Sequence, residues 1–170
     1  MSELYLVKVA YFAFFHSHLS FGLRLWGHAS GTHKVLLLQK KAIRVISKAG
    51  FIDHCKPLFV ECGVMTVVNE YIYQCVKEVK ERLDILPRNS SVHDYSTRHC
   101  SNIFVPRCRL HKSKSCFPVT GYKFFNSLPT HLRDLPKSKF LKTIRDWLIS
   151  NPFYSITEFI ENIPLATILP

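Results

Sequence analysis

Acidic residues are the first thing this sequence is short of. Its 170 residues hold 12 Asp and Glu against 23 Lys and Arg, and none of the acids falls between Glu3 and Asp53. The aspartates Asp53, Asp84, Asp94, Asp134 and Asp146 are far apart and never adjacent. The paired carboxylates that two-metal polymerase or nuclease chemistry requires are therefore missing. Glycine is scarce, with 6 in all, and no phosphate-cradling glycine loop, HExxH or GxSxG occurs. Cysteine and histidine are present, but no local grouping supports thiol catalysis. Catalysis by this chain is not expected.

Long apolar runs are also missing. The longest stretch without Lys, Arg, Asp or Glu is Val9 to Leu23, and His16 and His18 interrupt it. A spanning helix needs about 20 apolar residues. Glu3 precedes Lys8, and Arg24 and Trp26 follow the run with no A-x-A cleavage pattern. The expectation is a nuclear or cytosolic chain, not secreted and with no membrane partner. Its six cysteines are then reduced thiols rather than a disulfide framework.

What is abundant is basic charge and apolar surface. Apolar residues make up 47%, enough for the core of one domain or a domain with a tail. The formal charge is +11, and residues 86–145 carry most of it, with 12 Lys and Arg against 2 Asp. Such a one-sided excess points to a polyanionic partner, with nucleic acid first.

The periodicity is mainly helical. Leu4 to Leu19 is apolar on nearly every side and reads as a buried core helix, broken after Gly22. In Lys34 to Lys48, the residues Val35, Leu38, Ala42, Ile43, Val45 and Ile46 share one half of a helix. Lys34, Lys40, Lys41, Arg44 and Lys48 fall on the other half. Five like charges on one face repel unless a partner pairs them, which suits phosphate contact; a merely solubilising face is the blander alternative. Val67 to Leu83 places Val68, Tyr71, Ile72, Cys75, Val76, Val79 and Leu83 on one stripe, with Glu70, Lys77, Lys80 and Glu81 outside. Leu86 to Ser101 reads as a linker. Asn102 to Leu110 reads as a short edge strand around Pro106. Tyr122 to Leu128 and Lys139 to Ser150 read as helices, the latter with Phe140, Leu141, Ile144, Trp147 and Leu148 apolar. Ser155 and Glu158 form a capping box for a last short helix.

Two constellations could bind something in the basic region. Cys100, Cys108, His111 and Cys116 have the spacing C-x7-C-x2-H-x4-C. They could hold zinc tetrahedrally, but the first gap is wider than the usual hairpin, and unrelated thiols in a loop are the competing reading. Arg98, Arg107, Arg109, Lys112 and Lys114 are interleaved with aromatics. The basic groups suit backbone phosphates without base specificity. Phe104, Phe124 and Phe125 read as core.

Taken in order, the words AYFAFFHSHLSFGLRLWG, KVLLLQKKAIRVI, HCKPLF, YIYQC, HDYSTR, GYKFFNSLPTHLR and FYSITEF resemble the C-terminal part of reverse transcriptases from jockey-like non-LTR retrotransposons. The resemblance runs from Ala10 to Phe159. It implies a thumb-like helical bundle over residues 1–85, a linker over 86–101 and a basic tail subdomain over 102–170. The catalytic Tyr-x-Asp-Asp box and its Mg2+ would belong to a palm outside this sequence, so no cofactor is expected here. The implied partners are RNA or an RNA/DNA duplex, and the fingers and palm of the parent polymerase. Tyr95, Thr97, Arg98, Asn126, Leu128, Pro129 and Arg133 occupy family positions, and Lys40, Lys41 and Arg44 lie in the second word. Cys100, Cys108 and Cys116 lie outside every word. Two alternatives stay open: a translated relic without activity, and a small zinc-binding nucleic-acid module.

Overall fold

A computed structural model describes residues 3–92, 98–110, 113 and 115–163. The chain is mainly helical. Helix α1 (Glu3–Ala10) runs through a π-helical turn (Tyr11–His16) into α2 (Ser17–Ser20), and Gly22, with φ of 61°, breaks the path before α3 (Leu23–Trp26). Then follow α4 (Thr32–Ile46), α5 (Cys55–Cys62), α6 (Val67–Glu81), α7 (Asn89–Val92), α8 (Phe117–Ser127), α9 (Thr130–Arg133), α10 (Lys137–Ser150) and α11 (Ile156–Asn162). No helix among the described residues is long and apolar enough to cross a membrane.

The central helix is α6, not the opening one. Its buried residues include Val67, Val68, Asn69, Glu70, Tyr71 and Ile72, so the first turns are covered on every side. The expected stripe from Val68 to Val79 is buried, but Glu70, expected outside, is buried as well at 7% exposure. Helix α6 packs along α8 and α10 and touches α3 and α4. Gly121 permits the close approach of α8: a Cβ there would stand 3.1 Å from Val79 Cγ2.

The opening helix is corrected accordingly. Between Tyr5 and Ser20 only Tyr11 and Leu19 are buried, with Phe15 half-buried beside them. Tyr5, Leu6, Val9, Phe12 and Phe14 face solvent. Apolarity on all sides here marks a helix covered along a single stripe, which leaves a large apolar surface bare.

The start of α6 is where the structure is tied together. Thr66 caps the helix, accepting from Asn69 N–H at 3.1 Å and donating to Phe153 O at 2.7 Å. Asn69 Nδ2 donates to Leu148 O (2.6 Å) and Asn151 O (2.8 Å), and its Oδ1 accepts from Phe153 N–H (3.2 Å). Gln39 on α4 donates to Tyr11 Oη and Met65 O, both at 2.9 Å, and accepts from Val67 N–H at 2.8 Å. The core follows the same route. One cluster runs from Leu19 through α6, α8 and α10 to Phe159 and Ile163, and a second joins Tyr11, Ile43, Ile46, Cys55, Phe59, Cys62 and Val64. The core therefore crosses the boundaries expected at 86–101.

The 86–101 segment folds back on itself: Asn89 N–H reaches Asn102 O, and Phe104 N–H reaches Pro87 O, both at 2.9 Å. The strand expected over Asn102 to Leu110 is reduced, among the described residues, to one antiparallel bridge between Arg88 and Ile103. The other edge of Ile103 is taken by a side chain. Asn126 accepts from Ile103 N–H (2.9 Å) and donates to Ile103 O (2.8 Å), occupying the place of a second strand. The last helices match the periodicity: Phe140, Ile144, Trp147 and Leu148 are buried, and Ser155 Oγ accepts from Glu158 N–H at 3.0 Å to start α11.

Asn69→Leu keeps the heavy-atom count and branching of the side chain and orphans three backbone groups. It is expected to cost at least about 2 kcal/mol in urea unfolding, with the secondary structure of the native state retained.

Candidate nucleic-acid interface

The inward face of α4 carries Thr32, Leu36, Gln39, Ile43 and Ile46. Ile43 and Ile46 are where the periodicity places them. Leu38 and Val45 are not: they are 55% and 73% exposed. Gln39 takes the inner position because all of its amide hydrogen-bonding reach is used there. The helix is thereby turned relative to the reading from apolar residues alone.

That rotation divides the expected basic stripe. Lys34 and Lys41, seven residues apart, point outward with Leu38 and Val45 beside them. Neither has a hydrogen-bond or ion-pair partner among the described residues. Lys40 turns sideways, its Nζ 3.5 Å from the centroid of the Tyr154 ring, and burial lowers its pKa. Arg44 donates from Nε (3.1 Å) and Nη2 (2.9 Å) to Asp53 O. Lys48 is exposed just beyond the helix, with φ of 51°. Tyr154 also has Lys56 near its ring, and Lys56 is ion-paired with Glu158. Lys40 thus holds Tyr154, and Arg44 the 50–53 turn, against α4.

The second basic surface surrounds the extended segment after Ile103. A groove of about 640 Å³ is lined by Val105, Arg107, Arg109, Val119 and Lys123. A neighbouring groove of about 650 Å³ shares Val105 and Arg107 and adds Phe104 and Asn126. Among the described residues neither lining contains an acid. Arg98, Arg107 and Arg109 are exposed; Lys112, Lys114 and His111 lie outside the described residues, as do Tyr95 and Thr97. Phe124 and Phe125 are buried in the core and Phe104 is half-buried, so no stacking platform is built from that pair. Arg133 Nη1 donates to Asn102 Oδ1 at 2.8 Å, while Lys80 Nζ donates to Arg133 O at 2.6 Å. The word NSLPTHLR therefore supplies Asn126 and Arg133 as braces of the 102–103 segment.

All six cysteines are free thiols. Cys116 Sγ donates to Ser113 O at 2.9 Å, and Cys108 Sγ to Pro106 O at 3.6 Å. Among the described residues no group of three or more His, Cys, Asp or Glu could hold a metal ion. Burial pushes the Cys75 thiol up to about 12, which makes it a poor nucleophile.

One feature had little signal in the sequence. Phe51 and Ile52 are 81% and 92% exposed at the tip of a turn. Their bracketing by Gly50 and Asp53 was the available cue, since both residue types favour turns. Comparison with known protein families, with curated proteins and with solved structures finds no match.

Lys40→Ala and Arg44→Ala are each expected to cost about 1 kcal/mol in urea unfolding. Their effect on nucleic-acid binding at matched fraction folded should be small. Unchanged stability with lost binding would return both groups to the contact surface.

Proposed function

We propose that this chain is a non-catalytic nucleic-acid-binding module, the thumb and tail of a jockey-like non-LTR reverse transcriptase. In this reading it grips the phosphates of RNA or an RNA/DNA duplex without base specificity. The observation that carries it is the outward pair Lys34 and Lys41 on α4, unpaired and in a stretch free of acids from residue 4 to 52. A helix face with that character is a row of point charges for a polyanion. The grooves around Arg107, Arg109 and Lys123, with no acid among the described residues that line them, offer a second contact for the same backbone. Polymerisation, with its Mg2+, would belong to the parent enzyme's palm and not to this chain.

The bare apolar side of α1 and the π-helical turn fits the same reading as the side turned toward fingers and palm. It equally favours a second one, a translated relic whose apolar cover is gone. A cooperative thermal melt separates them, because the relic reading expects a molten ensemble.

Binding to a short RNA/DNA duplex should weaken linearly on a log–log scale as salt rises. Lys34→Ala with Lys41→Ala is expected to reduce that slope by about 1.8, at roughly 0.9 per duplex phosphate contact, with the melt unchanged. An unaltered slope removes α4 from the interface.

A further inference from the structure

The turn after α4 is built to hold two large apolar side chains in water. Gly50 N–H donates to Asp53 Oδ2 at 2.6 Å, and Asp53 N–H returns to Gly50 O at 3.2 Å. Asp53 O receives both Nε and Nη2 of Arg44, which fastens the base of the turn to the last turn of α4. Ala49 N–H donates to Arg44 O at 3.0 Å and fixes the approach. Phe51 and Ile52 sit at the tip of the turn that this set closes. Turn tips ordinarily carry small or polar residues, so a rigid tip made of Phe and Ile at 81% and 92% exposure is a contact element.

Its surroundings say what it meets. The outward face of α4, the helix before the turn, presents Lys34 and Lys41, and the acid beside the tip, Asp53, is spent on the turn itself. An occupant must offer negative charge to the helix and an apolar slot to the tip. A duplex does both: phosphates along its edge and stacked bases within. Proteins that seat apolar side chains between base steps use this pairing of basic groups with a Phe, Leu or Ile wedge.

Resting on the nucleic-acid reading above, we infer that Phe51 and Ile52 form a wedge. The wedge enters the base stack of a duplex whose backbone is held by Lys34 and Lys41. The phosphate grip supplies charge, and the wedge supplies apolar and stacking contact without sequence readout.

The test uses the full chain and a 20-base-pair RNA/DNA hybrid carrying single 2-aminopurines at successive positions of the DNA strand. The expected result is a severalfold rise in 2-aminopurine emission at one or two adjacent positions on saturation. Phe51→Ser with Ile52→Ser should abolish the rise and weaken binding about tenfold, leaving the salt slope and the melt unchanged. Phe51→Trp should keep the rise and show quenched indole emission. Salt-dependent binding without any rise, or a rise that survives the double serine variant, overturns the wedge and leaves the nucleic-acid reading standing. No binding to the hybrid at low salt overturns both. Capture by phosphatidylserine vesicles that is lost in the double variant, with hybrid binding untouched, overturns the wedge by assigning the tip to lipid.

Discussion

The buried amides of Gln39 and Asn69 are the constraint on which this structure rests. Both side chains lie inside, where an unmet donor or acceptor is costly. Each is satisfied by backbone groups from a different part of the chain: Gln39 by Met65 and Val67, Asn69 by Leu148, Asn151 and Phe153. Apolar contacts alone would allow α4 and α10 to slide or rotate on α6. The amides fix their register, because a shift of one residue would break several hydrogen bonds at once. The rotation of α4 that sends Lys34 and Lys41 outward is a direct result.

The same constraint explains which cations of α4 are held by the fold and which are not. Once Gln39 is inside, Lys40 meets Tyr154 and Arg44 meets the carbonyl of Asp53. These contacts bind the chain's later residues and the 50–53 turn to α4. Charge on a helix therefore divides into groups that hold the fold together and groups left exposed, and sequence adjacency does not decide between them. Lys40 and Lys41 are neighbours with opposite assignments.

Much of the fold was legible because its helices obey simple periodicity. The stripes of α6 and α10 and the Ser155 cap could be read residue by residue, since apolar spacing and burial coincide there. Reading failed where a polar residue is inside or an apolar one outside. Gln39 displaced Leu38 and Val45 from the core, Glu70 went in with the first turns of α6, and the helix from Tyr5 to Ser20 left Tyr5, Leu6, Val9, Phe12 and Phe14 exposed. Hydropathy carries no information about which side of an all-apolar helix will find a neighbour. The Asn102 to Leu110 segment misled for another reason: among the described residues it pairs by backbone bridge only at Ile103, and Asn126 supplies by side chain what a second strand would supply by backbone.

The return of residues 153–163 to the first half of the chain has a consequence for how the molecule is made. Phe153 meets Thr66 and Asn69, and Glu158 meets Lys56, across separations of 87, 84 and 102 residues. Closing loops of that length is slow compared with forming the helices. During synthesis, at roughly 5–20 residues per second, α6 must wait several seconds with its Asn69 amide unmet and its apolar face open. The nascent chain is most exposed to misassociation in that interval.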